Sequence, residues 1–447
     1  MMTQGYYAGI SGIQTHQYGL DVISDNLANV NTIGYRGSST EFASLFSEKL
    51  VSAGATTPTT NDIGLGTRLQ ATTMNTQSGS FINTDRFNDL AIGGNGWFGV
   101  VSGDDQYFTR AGNFVLDEYK KTDGALNSSV GRLTTTEGMY VTGTMLSNFE
   151  YDAQYNYAVK ANGTEAGAFK ITASLDKVPL AAVNGQTQIE LPTRLAYPTE
   201  PTTITKFYGN LGVDAVERTM SANAISPSND QNRIKLLFTQ SAIQPTEGVS
   251  WDIVATASSN DGDTLYDTQS GQITFNQTGA LNSFTLPTLD NDGAPVTVDL
   301  GGAFGGLISS SGPSISAASQ SDGVSGGTLN QYSINADGVI VADFSNGRQS
   351  AIGRIAVYHF QNDQGLLRAG SSLFSKSDNS GDAIFWTDAA GNAITGAAIN
   401  SNRLENSNVE LETGLTDMII TQRAYQANAK TITTVDEMIQ KALTMRR

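Results

Sequence analysis

The chain has 447 residues, 39% of them hydrophobic, which is enough to bury a sizeable core and to divide into roughly two to four domains. Its 26 basic and 43 acidic residues leave a net charge of -17 and no basic stripe to neutralise phosphates, so nucleic acid is not an expected partner. Cysteine is absent, which removes disulfides, thiolate zinc sites and thiol catalysis, and the only histidines, His16 and His359, stand too far apart to suggest a metal site or a hydrolase.

The first element is an amphipathic helix. Tyr6, Ile10, Ile13, Gln17, Leu20, Ser24 and Leu27 recur at alternating spacings of four and three, a narrow coiled-coil-like stripe. Met1 to Gly12 hold no basic segment followed by an apolar one, so no cleavable secretory signal is expected. The helix should end in Asn26-Leu27-Ala28-Asn29-Val30-Asn31-Thr32-Ile33-Gly34-Tyr35, where asparagines and a glycine supply side-chain-to-backbone bonds and positive φ. Ser38 to Thr60 are rich in Ser, Thr, Ala and Gly and read as a mobile connector with a short helical piece near Phe42 to Leu50.

From Arg68 to Ser147, clusters such as Leu90-Ala91-Ile92, Trp97 to Val101 and Met139-Tyr140-Val141 alternate with Gly, Asn and Asp turns, the texture of short strands. Between about Asn148 and Asn330 the composition shifts to Thr, Ser, Asn and Asp, with strand-like runs at Phe169 to Ala173, Ile234 to Thr239, Trp251 to Ala257 and Gln272 to Phe275. The Gly/Ser/Ala stretch Gly301 to Gly327 reads as a loop or linker, after which strands resume at Tyr332 to Ile334, Val339 to Phe344 and Ile352 to Phe360. A second helical stripe closes the chain: Leu411, Leu415, Met418, Gln422, Tyr425, Ala429, Ile432, Asp436, Ile439 and Leu443. No apolar run reaches the about 18 to 20 residues that cross a bilayer, so no membrane insertion is expected.

These elements give an α+β, mostly β fold with discontinuous, nested β domains and paired terminal helices. The expected parts are 1–67, the first helix and connector; 68–147 and 331–395, two halves of one β domain; 148–330, an inserted outer β domain; and 396–447, the closing helix. The stripes of Tyr6, Ile10, Ile13, Leu20 and Leu27 and of Leu411, Leu415, Met418, Tyr425, Ile432 and Ile439 are the expected assembly seam. The same spacing also fits two amphipathic helices packed on one globular core.

Local patterns that suggest chemistry fail on context. Gly94-Asn95-Gly96-Trp97-Phe98-Gly99 matches a dinucleotide-binding fingerprint but opens onto Val100-Val101-Ser102-Gly103, a strand and turn with no helix to receive a pyrophosphate. Asn260-Asp261-Gly262-Asp263 and Asp290-Asn291-Asp292-Gly293 lack the ligand spacing of a calcium loop and read as hairpin turns. Carboxylates such as Asp104, Asp105, Asp117 and Glu118 form no nucleophile and base constellation. No catalytic residue, cofactor or metal is expected.

Four stretches, in order, carry a resemblance: Ser24 to Gly37 (SDNLANVNTIGYRG), Leu90 to Phe98 (LAIGGNGWF), Tyr107 to Phe114 (YFTRAGNF) and Gly414 to Ile439 (GLTDMIITQRAYQANAKTITTVDEMI). Over most of its length the chain resembles the flagellar rod and hook protein family, the axial proteins of the bacterial flagellum. Within the first stretch Asn26, Asn29, Asn31, Gly34 and Tyr35 carry the motif. The long insertion and Val339 to Phe374 look like the hook member rather than the shorter rod members, with a distal-rod relative as the alternative. An extracellular β-rich enzyme or glycan-binding protein with oligomerising helical ends is the remote alternative.

The resemblance implies a subunit that polymerises with itself into an open helical tube around a central export channel. It implies passage through the flagellar type III export apparatus without a cleaved signal, and an extracellular position in the hook, the flexible joint that transmits torque. Rod, hook cap and hook-filament junction proteins are the implied partners.

Overall fold

The computed structural model describes residues 2–45, 47–49, 62–123, 126–146, 149–151, 157–159, 178–213, 217–311 and 318–445. Two helices bracket a chain of strands: α1 (Met2–Ala28) and α2 (Leu411–Thr444). They run antiparallel, since Gly5 faces Val435 while Gly19 faces Thr421. α1 carries four glycines in 27 residues, each costing about 1 kcal/mol of helix propensity against alanine, so its helicity depends on packing against α2.

The segment after α1 departs from expectation. Ser38–Ser44 is a strand, paired antiparallel with Thr67–Met74, and the ribbon continues as Ser47–Lys49 against Asp62–Gly64. The anticipated helical piece at 42–50 is therefore absent from its described part, and most of the rest of the expected connector lies outside the described residues. A two-stranded ribbon is marginal alone. This one lies along α1, where Thr67 N donates to Ser11 Oγ at 3.3 Å and Thr15 Oγ1 lies 3.2 Å from Thr67 O.

A 16-stranded sheet forms the middle layer. Its early and late strands interleave: Phe98 pairs with Val357, Gly143 with Ile355 and Thr109 with Leu373. Leu90, Ile92, Phe98, Phe114, Val141, Ile352 and Val357 share its core. Two further pairings gather the chain ends, Leu90–Gly93 with Ala398–Ser401 and Phe81–Asn83 with Arg403–Glu405. The glycine-rich fingerprint at 94–99 does lead into a strand, Trp97–Ser102, which turns back as Asp105–Thr109.

Strands of residues 187–197 also belong to this sheet: Leu191 pairs with Gly131 and Tyr197 with Gly327. A separate core opens at Phe207, well after the composition change near residue 148. It unites the five-stranded sheet running from Glu217–Ile225 to Leu281–Thr285 with a second sheet that includes Ile204–Asn210 and Ala294–Asp299. Both Asp-rich segments are hairpin turns there, one between Val249–Ser259 and Leu265–Phe275, the other between Leu289–Asn291 and Ala294–Asp299. The described parts of the expected linker, 301–311 and 318–327, carry strands. Leu307–Ile308 and Ala318–Ser321 pair with Ile204–Asn210, and Leu307 is buried. The run expected at 169–173 lies outside the described residues. No helix among the described residues is long and apolar enough to cross a membrane.

Candidate assembly surface

The contact between the helices is made by glycine. A β-carbon on Gly9 would lie 2.8 Å from Ile432 Cγ1, and one on Gly12 would lie 2.7 Å from the Asn428 side chain. Gly5 and Gly19 continue the row against Val435 and Thr421. Missing side chains let the backbones approach closely, and the row 5, 9, 12, 19 keeps heptad spacing.

The expected apolar stripe is the neighbouring row. Tyr6, Ile10, Ile13 and Leu20 each stand one position after a seam glycine, a rotation of about 100°. On α2, Ala429 follows Asn428 and Asp436 follows Val435 in the same sense, and Leu415 lies two heptads before Ala429. In an antiparallel pair, equal rotations in the chain sense swing both helices toward the same side. Leu415, Ala429 and Asp436 therefore share one face of the pair with the α1 stripe, Leu411, Met418, Tyr425 and Ile439 continue the row of Ile432 along the edge of the helix contact, and the opposite side of α1 is covered by the ribbon.

That face is bare. Tyr6 is 41% exposed, Leu411 50%, Leu415 43% and Tyr425 36%, while Ile10, Ile13, Leu20, Leu27, Met418 and Ile439 are half-buried at its inner margin. Ile432, on the same helical row as Met418, Tyr425 and Ile439, packs on Gly9 inside the seam. Of all the described side chains of α2, only Val435 is buried. Apolar helix faces that stay in water mark a surface awaiting a partner.

The asparagine motif does something else: it builds the joint between helices and sheet. Asn26 accepts from Ser38 N at 2.8 Å and donates to Ser38 O at 2.6 Å, while Asn29 donates to Asp25 O at 2.9 Å. Gly34 adopts a φ of 66°, where a β-carbon would collide with Ala111 N. Tyr35 donates to Asp25 Oδ2 at 2.9 Å, and burial together with that carboxylate pushes its hydroxyl up to about 12. Asn31 is exposed at the turn.

Residues that the sequence pattern did not single out complete the joint. Glu405 is fully buried, with Arg36 Nη2 at 2.9 Å from Oε1, an ion contact lacking hydrogen-bond alignment, and Arg110 Nη1 at 3.3 Å from Oε2. Gly79 N donates to Glu405 Oε1 at 3.0 Å, and Gly34 N donates to the Glu405 carbonyl at 2.8 Å. Burial, with Arg36 close by, lowers Arg110 to about 10 against the raising effect of Glu405. Around this core Asn408 receives Gly37 N at 2.8 Å and Gln364 clasps the backbone N and O of Met74, both at 2.7 Å. Only two arginines and a glutamate hundreds of residues further along the chain announce this centre, and nothing local marks it.

Among the described residues no group of His, Cys, Asp or Glu is arranged to hold a metal ion. His16 meets the edge of Phe42 at 5.8 Å between ring centroids, and His359 stacks on Trp386 at 3.8 Å.

Comparisons with known proteins converge on the same two ends. The family model described as flagella basal body rod protein matches residues 7–36, and the flagellar basal body rod FlgEFG protein C-terminal model matches residues 400–445. These segments hold the helices and the joint. The flagellar hook protein FlgE of Borreliella burgdorferi is 31% identical over 470 residues, spanning 100% of both chains. That of Treponema pallidum is 28% identical over 510 residues, again all of both, and that of Salmonella typhimurium 26% identical over 441 residues and 98% of each. The crystal structure of Helicobacter pylori flagellar hook protein FlgE2 superposes at a TM-score of 0.47 with 16% identity, over 71% of this chain and 99% of that one. End-to-end alignment with hook proteins, above three identical residues in ten for the Borreliella relative, shows that this chain belongs to the flagellar hook protein family.

Proposed function

We propose that the bare face formed by Tyr6, Ile10, Ile13, Leu20, Leu415, Met418 and Tyr425 is the seam by which copies of this hook subunit pack side by side into the tube. One observation carries the reading: a 34-residue helix with a single buried side chain among those described cannot be an element of a finished monomer. Contacts that are head-to-tail and do not close give an open helical polymer. In it the helices line a central channel and the β layers face outward. Rod, cap and hook-filament junction proteins meet its ends, subunits arrive unfolded through the type III export apparatus without a cleaved signal, and the chain has no catalytic role.

The unit from 204 to 308 is the outer module, and its packing against neighbours sets the curvature of the hook. Leu415→Asp tests the seam: it adds a charge to an exposed site, so the monomer keeps its melting temperature. Polymerisation, followed by sedimentation and negative-stain microscopy, should be lost, and normal hooks from this variant would reject the seam. A second experiment tests the module. Tyr197 and Gly327 are paired neighbours in the sheet, so residues 199–325 can be replaced by a short linker. The shortened chain should still polymerise, into straighter tubes; wild-type curvature would remove the outer unit from any role in shape.

A further inference from the structure

Opposite ends of the helix pair differ in shape and charge. At one end, the start of α2, the second half of α1, the Ser38–Ser44 strand and the extended segment 75–80 enclose a cleft of about 990 Å³. Val22, Ile23, Val409 and Ile420 give it apolar walls, and Glu410 and Asp417 line its rim. Ile420 is 60% exposed although it borders this cleft. The first turn of α2 opens here, and Glu410 at its N-cap accepts from Thr413 Oγ1 at 3.0 Å rather than from the helix amides, which are left without a side-chain cap at the cleft.

The charge at this end is one-sided. Asp21, Asp25, Glu410, Glu412 and Asp417 cluster there, and the sequence has no Lys or Arg from Met2 to Tyr35 or from Leu404 to Gln422. Arg368 reaches the margin at Ser38 Oγ, 2.8 Å away, but also donates to Arg36 O and lies over the Tyr35 ring.

The other end is a projection. Because Gly5 is level with Val435, α2 runs on past the start of α1 to Thr444. This tip exposes Met438 (48%), Leu443 (64%) and Met445 (84%). Its last turn carries Lys441, followed in the sequence by Arg446 and Arg447. Asp436 and Glu437 stand at its root, where Asp436 accepts from Gln440 at 2.9 Å. An apolar, basic plug thus sits at one end of the pair and an apolar, acidic cleft at the other.

We propose that the projecting end of α2 in one subunit seats in the cleft of the next subunit along the polymer, Leu443 and Met445 meeting Val409 and Ile420 while Lys441 faces Asp417 and Glu410. The proposal rests on the self-assembly reading above and adds an axial contact to the lateral seam. Plug and cleft are different patches on one molecule, so their contact is heterologous and repeats without closing. It also brings the C-terminal carbonyls of one helix toward the uncapped N-terminal amides of the next, an alignment that the helix dipoles favour.

A charge exchange tests it, because in a homopolymer every copy carries both halves. Full-length Asp417→Lys and Lys441→Glu variants should each raise the critical concentration for polymerisation roughly tenfold, and the double variant should return close to wild type. Both positions are exposed, so monomer melting should not change. Single variants that assemble like wild type, or a double variant no better than the singles, would overturn the contact. A second measurement uses the absence of native cysteine. A chain carrying Thr413→Cys and Leu443→Cys, oxidised after assembly, should run as a ladder of covalent oligomers, and monomers from assembled, oxidised tubes would count against the plug. Wild type run in parallel separates the two readings. If it fails to polymerise, self-assembly itself is refuted and the plug with it; if it polymerises while the exchange fails, only the plug is lost.

Discussion

The strand Gln231–Gln240 alternates exposed and buried side chains along its 10 residues, and Ile234, Leu236 and Phe238 enter a core shared with Trp251, Phe207 and Phe275. α2 spans 34 residues and, among those described, buries Val435 alone. The unit around Phe207 and Trp251 satisfies its apolar surface within its own core, whereas the helix pair leaves much of its own exposed. Stability and assembly should therefore respond to different residues: changes in the outer core should weaken folding and spare polymerisation, and changes on the helix face should do the reverse.

Trp251→Ala probes that contrast most strongly. Removing a fully buried indole should cost the outer unit about 3–5 kcal/mol in denaturant unfolding, through lost burial and the cavity left behind. Tubes should still form at temperatures where the unit stays folded. Loss of assembly with the outer unit intact by circular dichroism would show that the two regions are not independent.

Glu405→Gln targets the joint that links them. The change keeps the shape but leaves Arg36 and Arg110 buried without their counter-ion, so the chain should lose about 3–5 kcal/mol of stability. Hydrogen exchange should locate the loosening at residues 34–37, 77–79 and 405–408, with the outer sheets still protected. A uniform rise in exchange across both regions would argue that the joint is no separate element.

Tyr35→Phe should have the smallest effect. The Tyr35 hydroxyl is held protonated up to about 12 against an ordinary value of 10.0. Its contribution is thus complete below about pH 10, where the unfolded chain also keeps the proton, and drains away as pH rises toward 12. The stability difference between wild type and variant, measured by denaturant titration, should be constant from pH 7 to 9 and shrink above about pH 10. A difference that grows with alkalinity would contradict the assigned bond to Asp25.

What the sequence discloses follows from how local each signal is. The terminal stripes are heptad patterns within single helices, so their existence and helicity are legible. Their role in the pair is less so, because Gly5, Gly9, Gly12 and Gly19 make the contact by lacking side chains and an apolar row one position away draws the eye. Phe42 misleads for a similar reason: near Leu45 and Phe46 it suggests helical spacing, while the partner that makes it a strand residue, Leu69, lies on the far side of the ribbon. The strands Glu190–Pro192 and Leu195–Tyr197 are 3 residues each, too short to show alternation inside a Thr/Asn-rich region. Glu405 and its arginines are invisible locally, since a buried ion pair is defined only by what folding brings together.

The separation of those partners along the chain has a kinetic meaning. Glu405 reaches Arg110 across 295 residues and Gly79 across 326, and Asn408 reaches Gly37 across 371. Closing such loops costs conformational entropy before any contact repays it, which makes these bonds late events in folding. A polypeptide delivered from its N-terminus would hold Arg36 and Arg110 without their carboxylate until just over nine-tenths of its 447 residues had arrived. Chains cut before Glu405 would thus leave Arg36 and Arg110 without their carboxylate and α1 without its partner helix.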